Sequence, residues 1–179
     1  MKSIFVLLLL TLSAFAQQET AAAAAACGPK GANFDVKSDE SQHVLPQLEP
    51  GKALVVFVQD IGLVSCLGHC GTTKIGLDGA WVGANQHNSY FSVSVEPGEH
   101  HVCASPQGHF VPTMTSSDAA VRSAFAHFTA EAGKVYYFRV RRFGFGGQYQ
   151  ELFDLDAIDS DQGKYLIAWY PLSVSHQKP

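Results

Sequence analysis

The run Ala53-Leu54-Val55-Val56-Phe57-Val58 holds six apolar residues with no polar interruption. It follows the turn-forming Glu49-Pro50-Gly51-Lys52 and is too short for a helix of ordinary length. β-Branched and aromatic side chains dominate it, so it reads as a strand. A strand with no polar face has to be covered on both sides, which places it in the middle of a sheet. Ser89-Tyr90-Phe91-Ser92-Val93-Ser94-Val95 is different in kind. There Phe91, Val93 and Val95 alternate with Tyr90, Ser92 and Ser94, the period of a half-buried strand. Residues 135–142 alternate as well, with Tyr136, Phe138 and Val140 on one face and Tyr137, Arg139 and Arg141 on the other.

Turn signals punctuate the rest. Residues 72–77 lead into Asp78-Gly79, a short-hairpin signal, and Trp81-Val82-Gly83 returns. Glu96-Pro97-Gly98-Glu99 opens a strand at 100–105, and Glu131-Ala132-Gly133-Lys134 separates a strand at 123–130 from the one at 135–142. Two more strands are expected at 149–158 and 164–170, joined by a turn at Asp159-Ser160-Asp161. Helix competes as a local reading only at 118–128, and no segment shows a convincing amphipathic helical period. Seven to eight short strands spaced in this way predict an all-β, immunoglobulin-like sandwich over residues 51–171. Residues 17–50, which include six consecutive alanines, are expected to form a low-complexity spacer and extended arm tied down at Cys27 and Phe34. Residues 172–179 are expected to be a flexible tail.

The N-terminus carries Lys2, then an apolar stretch at 4–12 broken only by Thr11, then Ala14-Phe15-Ala16. That order matches a signal peptide over residues 1–16, cut before Gln17. The apolar stretch falls short of the about 20 residues a membrane helix needs, and no later segment is apolar for long enough. Export makes disulfides the simplest fate for the four cysteines, Cys27, Cys66, Cys70 and Cys103. Three connectivities are open. Cys103 is expected to bond Cys66 or Cys70, because that bridge closes a far longer loop than Cys66 with Cys70 and so constrains the unfolded chain more. Cys27 then takes the remaining partner and pins the arm to the sandwich. Lipid attachment at Cys27 is the competing fate of that residue.

Several of these motifs occur together, and in the same order, in a known family. Pro50-Gly51-Lys52-Ala53-Leu54-Val55-Val56-Phe57, Gly76-Leu77-Asp78-Gly79-Ala80-Trp81-Val82-Gly83, Ser89-Tyr90-Phe91, Glu96-Pro97-Gly98-Glu99-His100 and Ala132-Gly133-Lys134-Val135-Tyr136-Tyr137-Phe138-Arg139 carry the resemblance. Over roughly residues 50–170 the chain resembles the bacterial family called domain of unknown function 2846. The resemblance implies a small exported protein or lipoprotein with a transthyretin-like sandwich. It implies no catalytic or binding residue. Lipoprotein members carry the acylated cysteine directly after the apolar segment, whereas Cys27 stands well beyond it.

The formal net charge of −4, with no basic stripe, argues against nucleic acid as a partner. Cys66-Leu67-Gly68-His69-Cys70, with His100, His101 and Cys103 further on, is the one cluster with metal-ligand chemistry, suited to zinc or copper. Its spacing is neither a C-x₂-C knuckle nor a haem-attachment run, and export favours disulfides. No G-x-S-x-G elbow is present. Asp154 and Asp156 share a strand face without the separation typical of a glycosidase pair. Phe143-Gly144-Phe145-Gly146-Gly147 lacks the Lys-Ser/Thr of a phosphate loop. Arg139, Arg141 and Arg142 form a basic row, for which Glu151, Asp154 and Asp156 are available cross-strand partners.

The expectation is therefore an exported, non-catalytic module with no catalytic, cofactor-binding or metal residues. It would bind or scaffold at the cell envelope, with an envelope protein or a polysaccharide as partner. Two rivals from other classes stand beside it. One is a metal-binding or thiol-redox protein built on Cys66, His69, Cys70, His101 and Cys103. The other is a hydrolase whose site is assembled in space.

Overall fold

The computed structural model describes residues 26–61, 71–107, 123–144 and 151–179. Cys66, His69 and Cys70 lie outside the described residues, as do 118–122 and 145–147. The described chain forms β1 (Phe34–Asp39), β2 (Ala53–Gln59), β3 (Thr73–Leu77), β4 (Ala80–Asn85), β5 (Ser89–Val95), β6 (Gly98–Pro106), β7 (Ala124–Ala130), β8 (Val135–Gly144), β9 (Glu151–Ile158), α1 (Ser160–Trp169) and β10 (Leu172–Gln177). The strands form two sheets that face each other: a six-stranded sheet ordered β1-β10-β5-β2-β8-β9 and a four-stranded sheet ordered β4-β3-β6-β7. The molecule is an all-β sandwich, with more strands than the seven to eight expected.

The apolar run sits where its composition puts it. All seven residues of β2 are buried, and the strand pairs with β5 antiparallel and with β8 parallel. Ala53, Val55 and Phe57 point between the sheets, where Phe57 stacks 6.0 Å from Phe138 and 5.4 Å from Phe91. Ile75, Leu77, Val102 and Ala104 of the smaller sheet close this core from the other side. Leu54, Val56 and Val58 point outward into a second cluster with Tyr90, Tyr137, Leu166 and Ile167. Helix α1 and residues 40–48 form that outer cover. Tyr90, placed by its alternation beside two serines, is thus fully buried, and its hydroxyl donates to the Val44 carbonyl at 3.1 Å.

Two expectations about the ends of the chain are corrected. Residues 164–170 are not a strand. Asp159 caps α1 by accepting from the Asp161 and Gln162 amides at 2.9 Å each, so the expected turn is a helix start. Gly163 lowers helix propensity, but a Cβ there would run into the Tyr137 ring, so close packing on the sheet requires it. Residues 172–177 are not a flexible tail but β10, which pairs with β1 over the whole length of both strands. The expected 17–50 arm is extended over Phe34–Asp39, where it forms the edge strand β1. Of the residues expected in the core, Phe57, Phe91 and Phe138 are buried, whereas Val93 and Tyr136 are only half-buried at its rim.

Candidate functional site

Residues 26–33 cross the outer face of the four-stranded sheet as a strap. A bridge joins Cys27 to Cys103 on β6, with Cα atoms 5.2 Å apart. This corrects the expected partner of Cys103. The loop-length argument compared only cysteines near the hairpin, while the strap lies directly on β6. Gly76 on β3 makes the crossing possible, because a Cβ there would sit 2.6 Å from the Ala26 carbonyl oxygen. Further along, the Trp81 indole donates to the Pro29 carbonyl at 2.8 Å, and the Lys74 ammonium donates to the Ala32 carbonyl at 2.8 Å while lying 4.3 Å over the Trp81 ring. Burial pushes the Lys74 ammonium pKa down. The strap then meets Gln107, whose side chain accepts from the Phe34 amide and donates to the Phe34 carbonyl, carrying the chain over to the larger sheet.

The thiolate form of the metal rival loses Cys103, whose sulfur is in the bridge. Among the described residues no group of three or more His, Cys, Asp or Glu side chains is placed to hold a metal ion. His100 and His101 part company. Asp78 and Gly79 take φ of 50° and 82°, the hairpin turn their sequence signals, and this brings the Asp78 carboxylate 2.6 Å from His100 Nδ1. His100 Nε2 faces the Glu96 carbonyl at 2.8 Å. Partial burial opposes the charged ring, but hydrogen bonds to Asp78 and Glu96 and the Asp78 charge outweigh it and raise the pKa. Both ring nitrogens face acceptors, so in the protonated ring both donate. The pair is a staple.

His101 points the other way, onto the outer face. Its amide donates to Asp78 Oδ1 at 2.8 Å, and its register partner on β7 is His127. The two rings lie 6.3 Å apart at 45°. His127 gave no signal in the sequence, because the connection between β6 and β7 is long and only the register brings it opposite His101.

Arg139 and Arg141 of the basic row are paired with their cross-strand acids. Arg141 donates to both Asp154 and Asp156 at 2.6 Å, and Arg139 lies 3.9 Å from Asp156. The two aspartates are thus taken up in ion pairs, Asp156 with both guanidinium groups. At one end of the sandwich Gln59, Thr73, Asn85 and Ser89 are fully buried. Asn85 donates to the Phe57 carbonyl across the sheets, while the Gln59 amide and the Thr73 hydroxyl have no hydrogen-bond partner among the described residues.

A cleft lies between β5 and β10. These strands run parallel, and their only register pair is Leu172 with Tyr90. Beyond it β10 turns toward β4, where Ser173 Oγ donates to the Ala84 carbonyl at 2.8 Å and Ser175 Oγ accepts from the Ala84 amide at 3.1 Å. The splay opens a cleft of about 440 Å³. Val82, Phe91 and Val93 form its apolar floor, Ser92, Leu172 and Val174 line its sides, and among the described residues no charged one lines it. The edge of β5 is unpaired there for a geometric reason. The Tyr90 amide donates to the Pro171 carbonyl at 3.1 Å, so it points away from β2. In an antiparallel pair this direction alternates by residue, so the amides and carbonyls of Ser92 and Ser94 point away from β2 as well.

No family model, no curated protein and no solved structure matches the chain.

Proposed function

We propose that this chain is an exported, non-catalytic sandwich module that binds an extended, uncharged segment of a partner polypeptide at the cell envelope. The observation that carries the reading is the open edge of β5 above an uncharged, apolar-floored cleft. Backbone groups of Ser92 and Ser94 would pair with the added strand, and an apolar side chain of the partner would enter the space over Val82, Phe91 and Val93. The lack of lining charge selects against a charged segment, whose desolvation nothing in the cleft would offset. The Cys27–Cys103 bridge supports an oxidising compartment, and a sulfur held in that bridge is not available for a lipid thioether. Membership of the resembled family belongs to the same proposal and rests on the order of its motifs.

Amide hydrogen exchange tests the reading. In the free protein the Ser92 and Ser94 amides should exchange at least about a hundredfold faster than those of Phe91 and Val93, which point toward β2. Adding a capped Thr-Val-Thr-Val-Thr-Val peptide should slow both amides by about tenfold or more. Equal protection in the free protein would show the edge to be closed. Fast exchange that the peptide leaves unchanged would rule out strand addition.

A further inference from the structure

The outer face of the four-stranded sheet carries two histidines directly opposite each other, and their backbone geometry fixes how closely they meet. His101 uses both its amide and its carbonyl toward the Asp78 side: the amide donates to Asp78 Oδ1 at 2.8 Å and the carbonyl accepts from the Asp78 amide at 3.0 Å. Neither group is therefore directed at β7. His101 and His127 form the non-hydrogen-bonded kind of antiparallel pair, in which opposed Cα atoms come within about 4.5 Å and side chains stand closest. Val102 and Ala104 face the core, so His101 and Cys103 face outward, and His127 is exposed.

The rings stand 6.3 Å apart, about 1–2 Å further than two cis imidazoles on one ion. A metal bound at about 2.0–2.1 Å by one nitrogen of each ring needs those nitrogens roughly 3–3.5 Å apart, which small side-chain rotations supply from this starting geometry. Nothing competes for the rings from the neighbouring positions of the face. Cys103, next along β6, is held in the bridge to Cys27, and its cross-strand neighbour is Phe125. Glu99 precedes His101 on the same face of β6 and adds negative charge without closing a third ligand position.

We infer that His101 and His127 form a two-imidazole site for a borderline divalent metal ion of the zinc, nickel or copper class. Imidazole suits these ions, and two cis nitrogens leave the remaining positions to water or to a group on a docked partner. The site uses one residue of the cluster visible in the sequence and replaces the thiolates with a histidine that was not. It is independent of the cleft between β5 and β10, on the other sheet.

Calorimetric titration of the full-length, oxidised, mature chain with ZnCl₂ at neutral pH tests it. The wild type should bind one ion, and His127→Ala should weaken binding about tenfold or more while leaving the metal-free melting temperature unchanged. His127 is exposed on an edge strand, so the variant keeps its fold. Nickel added in substoichiometric amounts should broaden the ring resonances of His101 and His127 before those of His43 or His176. Zinc affinity unchanged in His127→Ala, or broadening centred on other histidines, would overturn the assignment. So would a wild type that takes up no zinc at about millimolar concentration.

Discussion

The two outer faces of the sandwich are covered in opposite ways. Over the six-stranded sheet, α1 and residues 40–48 bury Leu54, Val56, Val58 and Tyr137 beneath Leu166 and Ile167, with Leu45 and Leu48 packed beside them. That cover is held by apolar area. Over the four-stranded sheet the cover is a single strap, held by the Cys27–Cys103 bridge, the Trp81 and Lys74 contacts and the turn at Asp78. The first kind of cover needs a long stretch of chain and gives way with loss of side-chain volume. The second needs few residues and gives way with reduction of the bridge. It also leaves the outer positions of β7 exposed, and His127 stands there opposite the half-buried His101.

Removing the bridge should have the largest effect. It joins residues 76 apart, and the chain-entropy model puts such a crosslink at about 4 kcal/mol. The Cys27→Ala/Cys103→Ala double variant should lose about that much in guanidinium unfolding, with the slope of the transition larger as the unfolded chain expands. A loss under about 1 kcal/mol would show that the strap is held by Trp81 and Lys74 without help from the bridge. The apolar cover comes next. Ile167 is 4% exposed, and Ile167→Ala should cost about 2–4 kcal/mol whether the bridge is intact or not. The two covers lie on opposite sides of the molecule, so the losses should add within about 0.5 kcal/mol. Strong coupling between them would mean that the two faces do not behave independently.

How much of this was legible in the sequence differs between the same regions. The uninterrupted apolar run gave β2 and demanded an outer cover, but not what the cover would be. Helix α1 is hard to read because Tyr165 and Trp169, 63% and 68% exposed, put apolar residues on its wet face and so erase the amphipathic contrast. Gly163, needed against Tyr137, weakens the signal further. β10 reads as a tail because its inward positions hold Ser173 and Ser175, whose hydroxyls bind the Ala84 backbone, while Val174 points out. Its pattern is inverted, and only a neighbour's backbone explains why. The Asp78-Gly79 turn and the Arg141 pairing with Asp154 and Asp156 were legible because each depends on short-range geometry. The partner of Cys103, the His101–His127 pair and the open edge of β5 depend on how distant segments cross, which residue type and spacing do not encode.

The smallest effect separates charge from hydrogen bonding at the Asp78-Gly79 turn of the smaller sheet. His100 has a pKa raised above its ordinary 6.5 by hydrogen bonds to Asp78 and Glu96 and by the Asp78 charge, against the opposing effect of partial burial. A group held more basic in the folded state binds its proton more tightly there. Its contribution is therefore complete below the unfolded value and disappears as pH rises through the folded one. Asp78 is 43% exposed, so water screens the pair, and its worth is about 0.2–1 kcal/mol. Asp78→Asn isolates the charge. Asparagine tolerates the left-handed backbone at this position, and its carbonyl oxygen can still accept from the His101 amide, so the turn survives. Unfolding free energies of wild type and Asp78→Asn should differ most near pH 6, with the wild type more stable, and should converge as the pH rises above neutrality. A constant gap across that range would mean that Asp78 works through the turn alone, and His100 would then contribute packing against Phe128 rather than charge.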